Sequence, residues 1–211
     1  IQRTYLIGPD GRIVWHAHVQ ALTKDLVAGQ VDRVQFFAPP PGVKRAKAAA
    51  KLASEMKFGP ALAEGAKVEA DKTATDADRT LVAAIRADVA RTYVLDKKLL
   101  DVLVKDCDWG LAYLRAERMK ARFTGTDHQP KADLDFEKLE KAPIVQYVLP
   151  AQRKYEELVD QAAKARTKKD VEAVLLELRK LADGYENTKP GDRAKALIPA
   201  IEKRLEEMTG K

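Results

Sequence analysis

Three consecutive prolines, Pro39, Pro40 and Pro41, followed by Gly42, divide this sequence into segments of different chemistry. Proline fixes φ and has no N–H to donate, so a triple run fits neither a helix interior nor the centre of a sheet. A short, stiff, polyproline-like connector is therefore expected over 39–42. Residues 1–38 open with strand and turn chemistry, whereas residues 43–211 carry helical periodicity almost throughout.

Upstream of the prolines, Tyr5, Leu6 and Ile7 form a compact apolar, β-prone run. Gly8-Pro9-Asp10-Gly11 follows as a turn, and Arg12 to Trp15 begins a second run rich in β-branched and aromatic residues. The pattern predicts a β-hairpin, with Pro9 presetting φ at the first central position and Gly11 able to take positive φ. Thr23 is placed to cap a helix whose buried stripe is Leu26, Val27, Val31 and Val34. An isolated hairpin is marginal in water, so the chain is expected to be a piece of a longer protein.

Downstream, Val43 to Met56 reads as an Ala/Lys-rich helix, and Pro60 suits the first turn of a second helix ending near Asp71. Thr73 to Asp78 supplies caps for a helix to about Leu95, with Leu81, Ile85, Val89 and Tyr93 at helical spacing. A separate segment, Lys97 to Lys105, carries Leu99, Leu100, Val102 and Leu103. Asp108 is placed to cap a helix through Leu111, Leu114 and Met119, and Asp133 to Lys141 reads as a short helix. Pro143 opens a helix expected to break or bend at Pro150. Thr167 to Asp183 is amphipathic through Val171, Val174, Leu175, Leu178 and Leu181, and Arg193 to Met208 closes the chain.

Composition narrows the function classes. With 45% hydrophobic and 33% charged residues, the 211-residue chain is able to bury a core, which excludes a disordered or fibrous class. The net charge of +6 is interleaved along helices (KRAKAAAK, ERMKAR, EKRLEE) instead of gathered in one arm, which points to solvated helical surfaces and away from nucleic acid. No apolar run approaches the roughly 20 residues needed to span a bilayer as a helix.

Candidate chemistry is sparse. Cys107, the single cysteine, has no partner for an internal disulfide and is expected to be a buried or half-buried structural residue. His16, His18 and His128 are too few and scattered for a metal site; His16 and His18 read as a solvated strand face. The adjacent pairs Glu156/Glu157 and Glu206/Glu207 project about 100° apart on a helix and read as surface charge. No phosphate loop, nucleophile elbow or calcium loop occurs, so no catalytic residue, cofactor or metal is expected in the chain. Phe58 to Ala61, Trp109 to Ala112 and Val171 to Val174 share a bulky-then-small spacing, but without a fixed period. An irregular set of helical hairpins is expected in place of a regular array.

The string TYLIGPDGRIVW, followed by HVQALTKDLV, resembles the C-terminal part of a thioredoxin-like domain of the bacterial thiol-disulfide oxidoreductase and peroxiredoxin type, over Ile1 to Val34. The resemblance implies that the family's cis-proline position falls at Gln2, where a non-proline cis bond would cost about 2.5–4 kcal/mol. Gln20 stands where the family has a glycine in its last strand. It also implies that the Cys-x-x-Cys pair, which needs a helix start to generate its thiolate, lies upstream of Ile1. The chain by itself would then be redox-inactive. Disulfide-bearing proteins as partners and a periplasmic or cell-envelope setting are implied likewise, with a cytoplasmic location as the alternative. KDCDWGLAYL with RFTGT, and KKDVEAVLLELRKL with YENTKPGDRAKAL, resemble the degenerate repeat-type helices that follow such domains in some envelope proteins.

The expected fold class is thus mainly α. An N-terminal β-hairpin plus helix forms a partial thioredoxin-like α/β unit over 1–38, then comes the linker at 39–42 and an all-α helical-hairpin domain over 43–211. Two functions are carried forward: a truncated oxidoreductase, or a non-catalytic helical scaffold mediating protein–protein interaction.

Overall fold

The computed structural model describes the backbone of residues 4–7, 13–17 and 39–209 and the side chains of residues 39–208. Two short segments, β1 (Thr4–Ile7) and β2 (Ile13–Ala17), pair antiparallel with a register shift between Leu6 and Ile7. Every element whose side-chain packing is described is a helix, and no strand occurs in 39–208. The expected class, mainly α with a partial thioredoxin-like α/β unit, is corrected to all-α on this ground. Among the described residues the one sheet is this two-stranded ladder, and all other packing is helix on helix. The Gly8 to Gly11 turn, Gln2 at the cis-proline-equivalent position, Gln20, His18, and Thr23 with its helical stripe lie outside the described residues, as do the side chains of Trp15 and His16.

The prolines end in a turn. Val43 N–H donates to Pro40 O at 3.2 Å, and Gly42 takes φ +93°, the arrangement of a type II turn with Pro41 leading and glycine where φ must be positive. Beyond it run α1 (Lys47–Ser54), α2 (Phe58–Ala70) and α3 (Asp76–Lys105). The chain divides into two compact units between Ala87 and Asp88, inside α3.

In the first unit, α1 packs on α2 through a face of alanines, Ala49, Ala50 and Ala53, each at most 1% exposed. Small side chains there let two helix backbones approach closely. The entry to α1 is fixed by Asp78 of α3. Its Oδ1 accepts the backbone N–H groups of Lys44, Arg45 and Ala46 at 2.9, 2.8 and 3.0 Å, although α1 has no side-chain cap of its own. Asp78 Oδ2 accepts the Thr75 N–H and hydroxyl at 3.1 and 2.7 Å, and Asp78 N–H returns to Thr75 Oγ1 at 3.2 Å. One fully buried carboxylate therefore closes the capping box of α3 and satisfies the donors at the start of α1.

The second unit contains the C-terminal part of α3, then α4 (Trp109–Phe123), α5 (Gln129–Glu140), α6 (Pro143–Lys164), α7 (Lys168–Gly184) and α8 (Lys189–Thr209). Helices α6, α7 and α8 share a core centred on Leu158, Val171, Val174, Leu178 and Ile201. Helix α7 starts where expected, with Thr167 as N-cap and Asp170 completing a capping box. Several boundaries differ from the sequence reading, among them the start of α5 at Gln129, four residues before the expected Asp133. The segments ending at Leu95 and starting at Lys97 are one continuous helix, because buried positions run through the junction as Val89, Tyr93, Asp96 and Leu100. Helix α6 passes through Pro150 unbroken, since packing by Val145, Val148, Ala151 and Leu158 on both sides outweighs one lost ladder bond. Helix α8 begins at Lys189, four residues before the expected Arg193.

Candidate functional site

In the second unit α3 carries two apolar rows. The first, Val89, Tyr93 and Leu100, is buried at 2, 8 and 2% exposure and points into the unit's own core. Tyr93 lies edge-on to Phe123 at 5.3 Å and stacks on His128 at 4.4 Å, and burial raises its phenol pKa. Polar residues on the same side tie α3 down. Asp96, 6% exposed, accepts from Arg115 at 2.9 Å and Arg122 at 2.6 Å, both on α4. Lys97 bridges Asp101 at 3.0 Å and Asp135 of α5 at 2.9 Å. Burial alone would lower the Lys97 pKa, but the two carboxylates outweigh it and hold the amine above its ordinary value.

The second row is not covered. Leu95, Leu99 and Val102 are 59, 40 and 51% exposed. They follow one another by four and three residues and so lie along one side of the helix. At 100° per residue, this row is turned roughly 130° from the buried one. Scattered exposed aliphatics are ordinary on a protein surface, but an aligned row on a single helix is the usual form of a helix-docking seam.

The row ends near a second feature. Helix α3 terminates in a Schellman motif: Cys107 N–H donates to Val104 O at 3.1 Å and Asp108 N–H to Leu103 O at 2.8 Å, with Cys107 at φ +55°. Asp108, 5% exposed, is clasped by both terminal nitrogens of Arg193 on α8. Arg193 Nη1 also donates to Gln152 Oε1 of α6 at 2.8 Å. Chain neighbours of these residues line a cavity of about 290 Å³, with Trp109, Ile144 and Val148 on its apolar wall and Thr188, Lys189 and Asp192 on its polar wall. Cys107 and Asn187 line it as well.

Cys107, expected to be buried or half-buried, is exposed. The positive φ at the helix end turns its side chain out of the packed face. Among the described residues no group of three or more histidine, cysteine, aspartate or glutamate side chains could hold a metal. Glu156, Glu157, Glu206 and Glu207 are all exposed on helix surfaces. His128 is a ring in the Tyr93–Phe123 aromatic cluster. The sequence reading missed the α3 row. Its signal was present, since Leu95, Leu99 and Val102 have helical spacing, but Val89, Tyr93, Asp96 and Leu100 compete for the same helix, and spacing does not say which row is covered.

No helix among the described residues is long and apolar enough to cross a membrane. The chain matches no protein-family model, no curated protein and no solved structure.

Proposed function

We propose that this chain is a non-catalytic helical scaffold that binds another protein along the exposed face of α3. The observation that carries the reading is the aligned row of Leu95, Leu99 and Val102, each at least 40% exposed, on a helix whose other row is fully engaged in its own core. Apolar surface removed from water contributes about 25 cal/mol per Å², so a partner covering the row gains what the folded chain leaves unused. The test is a photo-crosslinker placed at position 102, followed by direct titration of the captured protein against purified chain. The double change Leu95→Asp and Leu99→Asp is expected to weaken binding more than tenfold and to leave the melting temperature unchanged. Undiminished binding by that variant would sink the reading.

The thiol-disulfide oxidoreductase reading rests on the resemblance over Ile1 to Val34 and brings with it an envelope setting and disulfide-bearing substrates. Its test is dithiol-dependent disulfide reduction by the product of a reading frame extended upstream of Ile1. Activity that depends on an upstream cysteine pair would place the helical part in the role of a docking module for that enzyme.

A further inference from the structure

The exposed row of α3 is part of a heptad register with a charge pattern of its own. With Leu95 and Val102 at d and Leu99 at a, Thr92 occupies the preceding a position. The g positions are then Arg91, Lys98 and Lys105, three basic residues at seven-residue spacing, all exposed. Arg91 is held by Asp88 of the same helix. Lys98 and Lys105 make no ion pair or side-chain hydrogen bond among the described residues. The e positions, Val89, Asp96 and Leu103, face the other way: the first two are 2 and 6% exposed, and Leu103 is half-buried. Only one flank of the seam is therefore open to a partner, and that flank is uniformly basic.

In helix pairs of this kind the a and d residues supply the apolar contact, and the flanking e and g charges choose the partner. A second copy of this chain is a poor match. Antiparallel pairing on the same seam sets g against g, bringing Arg91, Lys98 and Lys105 against their own equivalents. Parallel pairing sets g against e, and the e row is already committed to the unit's own core. Resting on the scaffold reading above, we infer that the partner element is an acidic amphipathic helix, with aliphatic residues at a and d and Asp or Glu on the flank that meets Lys98 and Lys105.

Fluorescence anisotropy of two synthetic amphipathic helices tests this against the full chain. Both carry Leu at a and d, one with Glu and the other with Lys at e and g. Like charges on each peptide oppose its self-association. The Glu peptide is expected to bind at least tenfold tighter than the Lys peptide, with affinity falling as salt rises. The paired change Lys98→Glu and Lys105→Glu is expected to invert the preference, and an unchanged thermal melt confirms that the variant is folded. Equal binding of both peptides, lost in Leu95→Asp with Leu99→Asp, overturns the acidic-partner inference and leaves the scaffold reading standing. Binding of neither peptide overturns both. Concentration-dependent self-association in sedimentation, abolished by Leu95→Asp, overturns the inference in favour of a second copy.

Discussion

Asp78 shows how much one residue can organise. Burial by itself would raise its pKa, but the Thr75 hydroxyl and the N–H groups of Ala46, Thr75 and Lys44 outweigh it and hold the carboxyl well below the usual range. A depressed folded pKa means that the contribution to stability is fully present above the ordinary carboxylate value of about 3.9. It is lost as pH falls through the lower folded value. Asp78→Asn keeps the shape but presents an NH₂ group to donors, so its melting temperature at pH 7 is expected to fall by about 5 °C. The variant should also lose part of the wild-type drop in melting temperature below about pH 4. Circular-dichroism melts from pH 7 to pH 2.5 read both effects, and a variant that tracks wild type throughout would contradict this role. Cys107 is the opposite case, a residue in a conformation its side chain opposes. At φ +55° a Cβ is strained where glycine is not, so Cys107→Gly is expected to raise stability by about 0.5–1 kcal/mol in urea unfolding. Cys107→Val should lower it, because a β-branched side chain is the worst fit to that backbone region.

Among the elements, two helix-to-helix connections are built alike. Met56 and Cys107 end α1 and α3 at φ +58° and +55°. Each is followed by one N-cap residue, Lys57 at φ −91°, ψ 71° and Asp108 at φ −88°, ψ 63°, and then by an aromatic residue and a glycine. The shared bulky-then-small spacing at Phe58 to Ala61 and Trp109 to Ala112 is thus the sequence trace of one connector used twice. Its glycine has a packing reason at the second site. A Cβ on Gly110 would lie 2.8 Å from Gln152 Cβ and 3.0 Å from its Cγ, so α4 and α6 would have to separate. Gly110→Ala is expected to cost about 1–3 kcal/mol as an overpacking change, despite alanine's better helix propensity. A stability gain in chemical denaturation would show that the two helices part easily.

At the scale of the second unit, Arg193 joins distant stretches of sequence. It brings the start of α4, the middle of α6 and the start of α8 together through Asp108 and Gln152. Arg193→Ala leaves the Asp108 carboxylate buried without its cation, and a buried ion pair broken from one side typically costs about 3–5 kcal/mol. Unfolding in urea followed by tryptophan fluorescence, with Trp109 beside the network, measures it. A loss below about 1 kcal/mol would mean the pair behaves as a surface salt bridge.

Most of the helices were legible in the sequence because helix formation answers to local periodicity, caps and breakers. The stripe from Val171 to Leu181 announced α7 without help from anything distant. The thioredoxin-like expectation came from residues 1–34, and the all-α class came from 39–208, where no strand exists to extend such a unit. What periodicity leaves open is which of two apolar rows a helix buries. On α3 that choice fell to Tyr93, Asp96 and Leu100, because Phe123, Arg115 and Arg122 lie many residues away in the chain and only folding brings them alongside. Leu95, Leu99 and Val102 were left outside for the same reason. The sequence by itself determined that the chain downstream of the prolines would be helical. Only the tertiary structure decided which face of α3 would remain uncovered, since burial depends on contacts between residues far apart in the chain.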